Sequence, residues 1–277
     1  MKDVVTPTKI TWCPGCFNFQ ILAGVKNFLT KSKLEKKDLA LVSGIGCHAK
    51  IFDYLNLNGL NTLHGRVLPT CLGIKVGNPN LSVLGFSGDG DAYAEGMSHL
   101  IHAARYNSDI NYFVFNNQVF ALTVGQPTPT TEIGFKDKTT PQGVKAHPIN
   151  PISLMLASGA SFVARVFADI GQVEYIIGEA LKHKGFSFVE IIQPCVIFHK
   201  DEGYREKMYS LDDKKHKKTS FEQAWKRAQE FNYNGIGKST KIPLGIFYQA
   251  KKPVFEDQFP KLVDLKKKKL GWVNIRR

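Results

Sequence analysis

Leu81-Ser82-Val83-Leu84-Gly85-Phe86-Ser87-Gly88-Asp89-Gly90-Asp91 reads as a buried strand running out into a glycine-flanked acidic turn. The apolar run lacks a period-two alternation, which is the pattern of a parallel strand covered on both faces. Ala92 to Tyr106 follow as a helix-compatible stretch, and Asn111-Tyr112-Phe113-Val114-Phe115 is a second such strand closing on Asn116-Asn117. Upstream, Ala40-Leu41-Val42-Ser43 ends at Gly44 in the same manner. Downstream, Ser161 to Phe167 and Ser187 to Ile192 read as strands. Between them Asp169 to Lys184 is amphipathic, with Val173, Ile176, Ile177, Ala180 and Leu181 on one face and Gly185 as its cap. Strand and helix alternate, so the fold class is α/β, a doubly wound parallel sheet with right-handed crossovers. Residues 123–150, rich in Thr, Pro and Gly, read as a long active-site loop.

Sheets of this kind bind ligands beyond the carboxyl ends of their strands. The polar clusters of this chain lie there: Gly44 to Lys50, Gly88 to Asp91, Asn116 to Val119, and Pro194-Cys195. Asp89 and Asn117 close consecutive strands joined by one helix, so a strand–helix–strand unit sets them side by side. A carboxylate and an amide oxygen so placed suit Mg²⁺, which takes oxygen ligands and completes its shell with phosphates. Gly88 and Gly90 allow close backbone approach, and the helix start after them favours an anion.

The length of 277 residues, 43% of them hydrophobic, is enough for a large core and excludes a disordered chain. No apolar run reaches the ~18 residues of a membrane span, and Met1 to Pro7 lack the apolar stretch of a secretory signal, so the expected location is cytoplasmic. Charge divides the chain. Residues 1–199 carry 17 Lys and Arg against 14 Asp and Glu, whereas residues 200–277 carry 20 against 10. The expected organisation is therefore a cofactor-binding domain over 1–199 and a Lys-rich C-terminal extension over 200–277, with one helix near Ser220 to Phe231. The lysine runs at 214–218 and 266–269 read first as a solvated face and next as a docking surface for an acidic protein; few aromatics lie between them for base stacking, so nucleic acid is not the expected partner.

Five cysteines, Cys13, Cys16, Cys47, Cys71 and Cys195, leave three readings of Cys13-Pro14-Gly15-Cys16 open: a redox pair, a zinc site, or part of a [4Fe–4S] site. Cys47 and Cys195 both follow strands at the ligand-binding edge and can converge with the pair; spacing does not choose the metal. A zinc-stabilised protein using its basic segment on nucleic acid is the alternative of another class, and it gives Asp89 and Asn117 no role.

Gly88-Asp89-Gly90 and Asn116-Asn117 at this separation resemble the motif of the thiamine diphosphate enzymes. Trp12-Cys13-Pro14-Gly15-Cys16, Gly44-Ile45-Gly46-Cys47, His64-Gly65-Arg66, Asn116-Asn117-Gln118 and Gln193-Pro194-Cys195 narrow the resemblance to the β subunit of the 2-oxoacid:ferredoxin oxidoreductases. Phe17 departs from that pattern, standing where relatives have a small residue. The resemblance implies Mg²⁺ ligation by Asp89, Asn117 and the Val119 carbonyl, with diphosphate contacts from Gly90, Asp91, Ala121 and Leu122. It places Ile45, Gly46, Cys47 and His48 along thiamine diphosphate, with His64 beside the ring as a catalytic residue. Arg66 either meets the diphosphate or fixes its loop. Lys50 is implied as the partner of the substrate carboxylate, and Cys13, Cys16, Cys47 and Cys195 as the ligands of one [4Fe–4S] cluster; Cys71 matches no ligand position.

The implied chemistry is coenzyme A-dependent oxidative decarboxylation of a 2-oxoacid with electrons passed to ferredoxin. The substrate expected is 2-oxoglutarate or a range of 2-oxoacids, with pyruvate as the alternative. The implied partner is an α (or α and γ) subunit in a hetero-oligomer, since no second domain is present to supply the pyrimidine site. The basic C-terminal segment is expected to meet that subunit or ferredoxin.

Overall fold

Strands without a polar face can be satisfied only inside a sheet covered on both sides. The computed structural model describes residues 3–200, 203–211, 215–235 and 240–270. Its strands are β1 (Leu39–Ser43), β2 (Gly59–Asn61), β3 (Ser82–Gly88), β4 (Asn111–Asn116), β5 (Val119–Phe120), β6 (Gln126–Pro127), β7 (Phe162–Phe167), β8 (Ser187–Ile192), β9 (Met208–Ser210) and β10 (Ile242–Gln249). Apart from Ser82, every residue of β1, β3, β4, β7 and β8 is buried. They pair in parallel within an eight-stranded sheet of order β2-β1-β3-β4-β8-β7-β10-β9, while β5 and β6 form a separate antiparallel pair.

The helices are α1 (Asn18–Lys31), α2 (Ile51–Tyr54), α3 (Val67–Gly77), α4 (Met97–Tyr106), α5 (Pro151–Ala157), α6 (Ile170–Lys182), α7 (Tyr204–Lys207), α8 (Phe221–Ala228) and α9 (Pro260–Lys268). One core joins α1, α2 and α6 to the sheet through Ile21, Val25, Ile51, Val173 and Ile176. Another joins α3, α4, α5 and α8 through Val67, Leu100, Ile152 and Ala224, so helices cover both faces as the strand pattern requires. Among the described residues no helix is long and apolar enough to cross a membrane.

Three local expectations shift. The helix expected over Ala92 to Tyr106 is divided: Asp91–Glu95 form one π-helical turn and α4 starts after Gly96, a type of irregularity frequent at functional sites. The helix expected to end at Gly185 closes at Lys182, and its start is capped by the Asp169 carboxylate, which accepts from the Gly171 and Gln172 amides at 3.0 and 3.1 Å. Within residues 200–277, expected as a Lys-rich extension, β9 and β10 join the sheet. The apolar run of β10 pairs antiparallel with β7 and carries β9 on its outer side, because lysine-rich flanks conceal a strand with a core-facing side. Lys214 and residues 271–277 of the basic segment lie outside the described residues.

One charged pair crosses the centre of the sheet. Arg165 on β7 and Glu190 on β8 stand opposite each other in register, both fully buried, with Arg165 Nε donating to Glu190 Oε2 at 2.7 Å. The guanidinium lies over the rings of Phe231, Tyr233 and Phe247 at 5.2, 5.7 and 5.6 Å, which supply the cation–π attraction that burial demands. Glu190 Oε1 accepts from Tyr233 Oη at 2.7 Å and from Asn116 Nδ2 at 2.8 Å. The C-terminal segment thus locks a residue of the Asn116-Asn117 turn.

Removing one member of this pair strands a charge in the core, at a cost of about 3–5 kcal/mol. Arg165→Leu is expected to destabilise the chain by that amount. The double variant Arg165→Leu/Glu190→Leu should lose clearly less than its two single variants together, as chemical denaturation of the three would show.

Candidate active site

The turns after β1, β3, β4 and β8 meet at one edge because these strands are neighbours in the sheet. Between the turns after β1, β3 and β4 opens a cavity of about 110 Å³. Every residue expected to meet thiamine diphosphate or Mg²⁺ lines it: Ile45, Gly46, Cys47, His48 and His64 from the segments after β1 and β2, and Asp89, Gly90, Asp91, Asn117, Val119, Ala121 and Leu122 from those after β3 and β4. The volume is below the roughly 300–1,000 Å³ of a site that encloses a small ligand. Ile45 and Leu122, both among its lining residues, are exposed apolar side chains, 41% and 48% accessible.

Asp89 carries the clearest demand for a cation. Its carboxylate is buried, and burial pushes its pKa up to about 6 although Thr128 Oγ1 and Thr130 Oγ1 donate to Oδ2 at 2.5 and 3.2 Å. Among the described residues no positive charge pairs with it. Asn117 Oδ1 accepts from the Val119 amide at 3.1 Å, which turns the amide oxygen and the Val119 backbone into one compact group. A carboxylate, an amide oxygen and a backbone carbonyl form the hard oxygen donor set that Mg²⁺ selects, and they fit it. Gly90 is required beneath: a Cβ there would stand 2.1 Å from the Phe120 ring, which floors the cavity.

Asp91 is arranged the opposite way. Burial pushes its carboxyl up, but His48, the Gly65 amide and the Ser87 hydroxyl outweigh it and hold it below the ordinary range. The Gly65 amide donates to Oδ1 at 2.7 Å and the Ser87 hydroxyl donates to Oδ2. His48 Nε2 stands 3.6 Å from Oδ2 and His64 Nδ1 4.0 Å from Oδ1, ion-pair range rather than hydrogen-bond range. The Asp91 carboxylate is thereby committed to the protein, with the His48 and His64 imidazoles, both lining the cavity, in its ion-pair range. Arg66 Nη1 lies 3.4 Å from Gly65 O and 3.3 Å from Glu95 O, the loop-fixing role.

Four of the cysteines belong together. Burial first, and then the proximity of Cys47, Cys195 and Cys13, push the Cys16 thiol up to about 11. Cys47 is raised by burial and by Cys195 and Cys13, while Lys50 opposes the shift. Among the described residues no group of three or more His, Cys, Asp or Glu side chains is placed to hold a single metal ion. Two N–H groups point at sulfur, Gln193 Nε2 to Cys16 at 3.7 Å and the Phe198 amide to Cys195 at 3.4 Å, as ligating thiolates require. Four thiols with amide donors fit a [4Fe–4S] cluster. Cys71 is apart, fully buried in α3 with its thiol pushed far up by burial.

Lys50 does not line the cavity. Its Nζ donates to Thr11 O at 3.4 Å beside the cysteine group. Trp12, part of the motif around Cys13, donates from Nε1 to Cys47 O at 2.7 Å and fixes the cysteine that both groups share. Sequence reasoning missed Thr128 and Thr130, which hold Asp89, and Glu190, which holds Asn116. The threonines lie in the loop at 123–150 that was expected at the site, but no spacing singles them out.

Comparison with known proteins agrees with this geometry. Residues 44–191 match the family described as thiamine pyrophosphate enzyme, C-terminal TPP binding domain, and residues 195–264 match the C-terminal family of the pyruvate ferredoxin oxidoreductase beta subunit. The chain is 40% identical over 251 residues to a 2-oxoacid:ferredoxin oxidoreductase subunit beta of Saccharolobus solfataricus, covering 86% of this chain and 81% of that protein. It is 42% identical over 196 residues to the 2-oxoglutarate synthase subunit KorB of Archaeoglobus fulgidus, covering 70% and 72%. A solved structure of 2-oxoglutarate:ferredoxin oxidoreductase from Magnetococcus marinus, with 2-oxoglutarate, coenzyme A and succinyl-CoA bound, superposes with a TM-score of 0.87 at 31% identity, covering 99% of this chain and 92% of that one.

The unbalanced Asp89 carboxylate gives a test. With its pKa raised in the folded protein, the metal-free chain gains stability as pH falls toward 4 and loses it as pH rises through about 6. Asp89→Asn should therefore stabilise the metal-free chain at pH 7.5 by about 1–3 kcal/mol and lose that advantage near pH 4. It should also abolish Mg²⁺-dependent thiamine diphosphate binding; thermal unfolding against pH and binding calorimetry read the two effects.

Proposed function

The chain belongs to the β subunits of the 2-oxoacid:ferredoxin oxidoreductases, and we propose that it holds the thiamine diphosphate, Mg²⁺ and [4Fe–4S] centres of an enzyme that oxidises 2-oxoglutarate. One observation carries this reading: Cys47 lines the cavity of the expected thiamine residues and also belongs to the group of four thiols. The two centres then share a wall. Relatives named for 2-oxoglutarate support the substrate. Pyruvate is the second reading, favoured by the family name matched at residues 195–264.

The balanced reaction converts a 2-oxoacid, coenzyme A and two oxidised ferredoxins to the acyl-CoA, CO₂, a proton and two reduced ferredoxins. Bound thiamine diphosphate supplies the carbon nucleophile and electron sink for decarboxylation, and the cluster accepts single electrons. Asp89, Asn117 and the Val119 carbonyl hold Mg²⁺ and so neutralise the diphosphate. Gly90, Ala121 and Leu122 shape its bed. His48 and His64, both in ion-pair range of Asp91, offer imidazole nitrogens at the cavity wall, with His64, the more exposed, moving or holding a proton beside the reacting carbon. Lys50, whose Nζ donates to Thr11 O, favours the thiolate of Cys47 and is the residue assigned here to the substrate carboxylate.

The small cavity and the exposed Ile45 and Leu122 beside it support an α subunit as the other wall. We assign ferredoxin as electron acceptor, coenzyme A as acyl acceptor, and the cytoplasm as location, where five free cysteines stay reduced. Anaerobically purified complex with its α subunit should contain about four irons and four sulfides per β chain together with thiamine diphosphate. Its cluster absorbance should bleach with 2-oxoglutarate faster than with pyruvate; bleaching by pyruvate alone would transfer the assignment, and zinc without sulfide would end it.

A further inference from the structure

Gln118, next to the metal-ligand position Asn117, takes up a left-handed backbone conformation (φ 61°) and is buried. Its side chain is fully engaged: Nε2 donates to Thr130 O at 3.0 Å and to Glu132 Oε2 at 3.1 Å, and Oε1 accepts from the Tyr204 hydroxyl. The same oxygen of Glu132 pairs with His199 Nε2 at 2.8 Å. His199 in turn donates its backbone amide to Cys195 O at 3.2 Å, closing the short turn in which the Phe198 amide reaches Cys195 Sγ. One carboxylate oxygen therefore joins the turn expected to carry Mg²⁺ to the turn expected to carry the cluster.

We propose that Glu132 and His199 are positioning residues that fix the cluster turn against the metal-binding turn, setting the geometry through which electrons leave the thiamine site. The proposal rests on the function assigned above. The chemistry suits the task. Hydrogen bonds from an amide and an imidazole to one half-buried carboxylate oxygen are charge-assisted, and so shorter and stronger than neutral ones. The Phe198 N–H···S contact that the His199 turn maintains is the kind of outer-shell interaction that tunes a cluster. Glu132 and His199 touch neither the cavity nor a thiol through their side-chain atoms, so they act through Gln118 and the Cys195 turn.

The test uses the α-containing complex of wild type, Glu132→Ala, His199→Ala, the double variant and Glu132→Gln. Iron, sulfide and thiamine diphosphate content are measured first. The cluster potential is then followed by electron paramagnetic resonance, and cluster reduction by 2-oxoacid in a single turnover. Both alanine variants are expected to keep their cofactors, shift the cluster potential and slow cluster reduction by about tenfold to a hundredfold. The double variant should be no slower than the worse single, since one bridge is broken either way. Glu132→Gln, which keeps an oxygen for both donors, should recover most of the rate. Wild-type rates and potentials in the alanine variants, or losses that multiply in the double variant, overturn the proposal. If the alanine variants lose iron, Gln118→Met, which removes the amide and keeps the volume, is read for the same quantities, and wild-type values there overturn it too. A wild-type complex without cluster or thiamine diphosphate would instead overturn the assigned function.

Discussion

The buried carboxylate of Glu190 is the point on which the rest of this structure depends. Its two oxygens hold Arg165, Tyr233 and Asn116, so a strand of the parallel sheet, the C-terminal segment and the ligand-bearing turn meet at one group. A charge in so apolar a place needs pairing and hydrogen bonds; the carboxylate has both, while Arg165 Nη1 and Nη2 have no hydrogen-bond partner and face aromatic rings instead. The requirement passes outward. Arg165 needs the rings of Phe231, Tyr233 and Phe247, and these rings need β10 seated on β7. The shape of the cofactor edge is thus enforced from behind the sheet as well as by the turns at its rim.

Asp89 and Asp91 stand in one turn and meet opposite electrostatic fates. Asp91 receives a hydroxyl, a backbone amide and two histidines, and its charge is spent on holding the wall of the cavity in place. Asp89 receives two threonine hydroxyls and, among the described residues, no cation, so its charge is left for a ligand. This is a familiar division of labour in sites that must be both rigid and receptive: one group is satisfied by the fold, its neighbour only by the cofactor.

The central strands and the chemistry at their ends were legible because both are written locally. An apolar run without alternation fixes β1, β3, β4, β7 and β8 as interior strands, and parallel pairing then sends Gly44, Asp89, Asn117 and Cys195 to a common edge. The union of the four cysteines was legible only in part: strand ends put Cys47 and Cys195 at one edge where they could meet the Cys13 and Cys16 pair, and the resemblance alone made the four one ligand set. β10 was hidden because its partner, β7, is remote in sequence and its lysine-rich surroundings read as solvent-exposed. α3 was missed because it is apolar around much of its circumference and shows no helical stripe. Thr128, Thr130, Glu132 and Gln118 escaped notice for a further reason. Their roles come from side-chain bonds between loops, and no periodicity encodes such bonds.

The aromatic lining around Arg165 also bears on how the protein is made. A chain emerging from the ribosome presents its N-terminal part first, at roughly 5–20 residues per second. Strands β7 and β8, with Arg165 and Glu190 on them, are complete well before Phe231, Tyr233 and Phe247 exist. Until those rings arrive the guanidinium has no cover, and the Asn116 turn lacks the Tyr233 contact that completes its anchor. A chain that stops before Phe231 therefore lacks both the rings over Arg165 and the Tyr233 hydroxyl that completes the Glu190 anchor of the Asn116 turn.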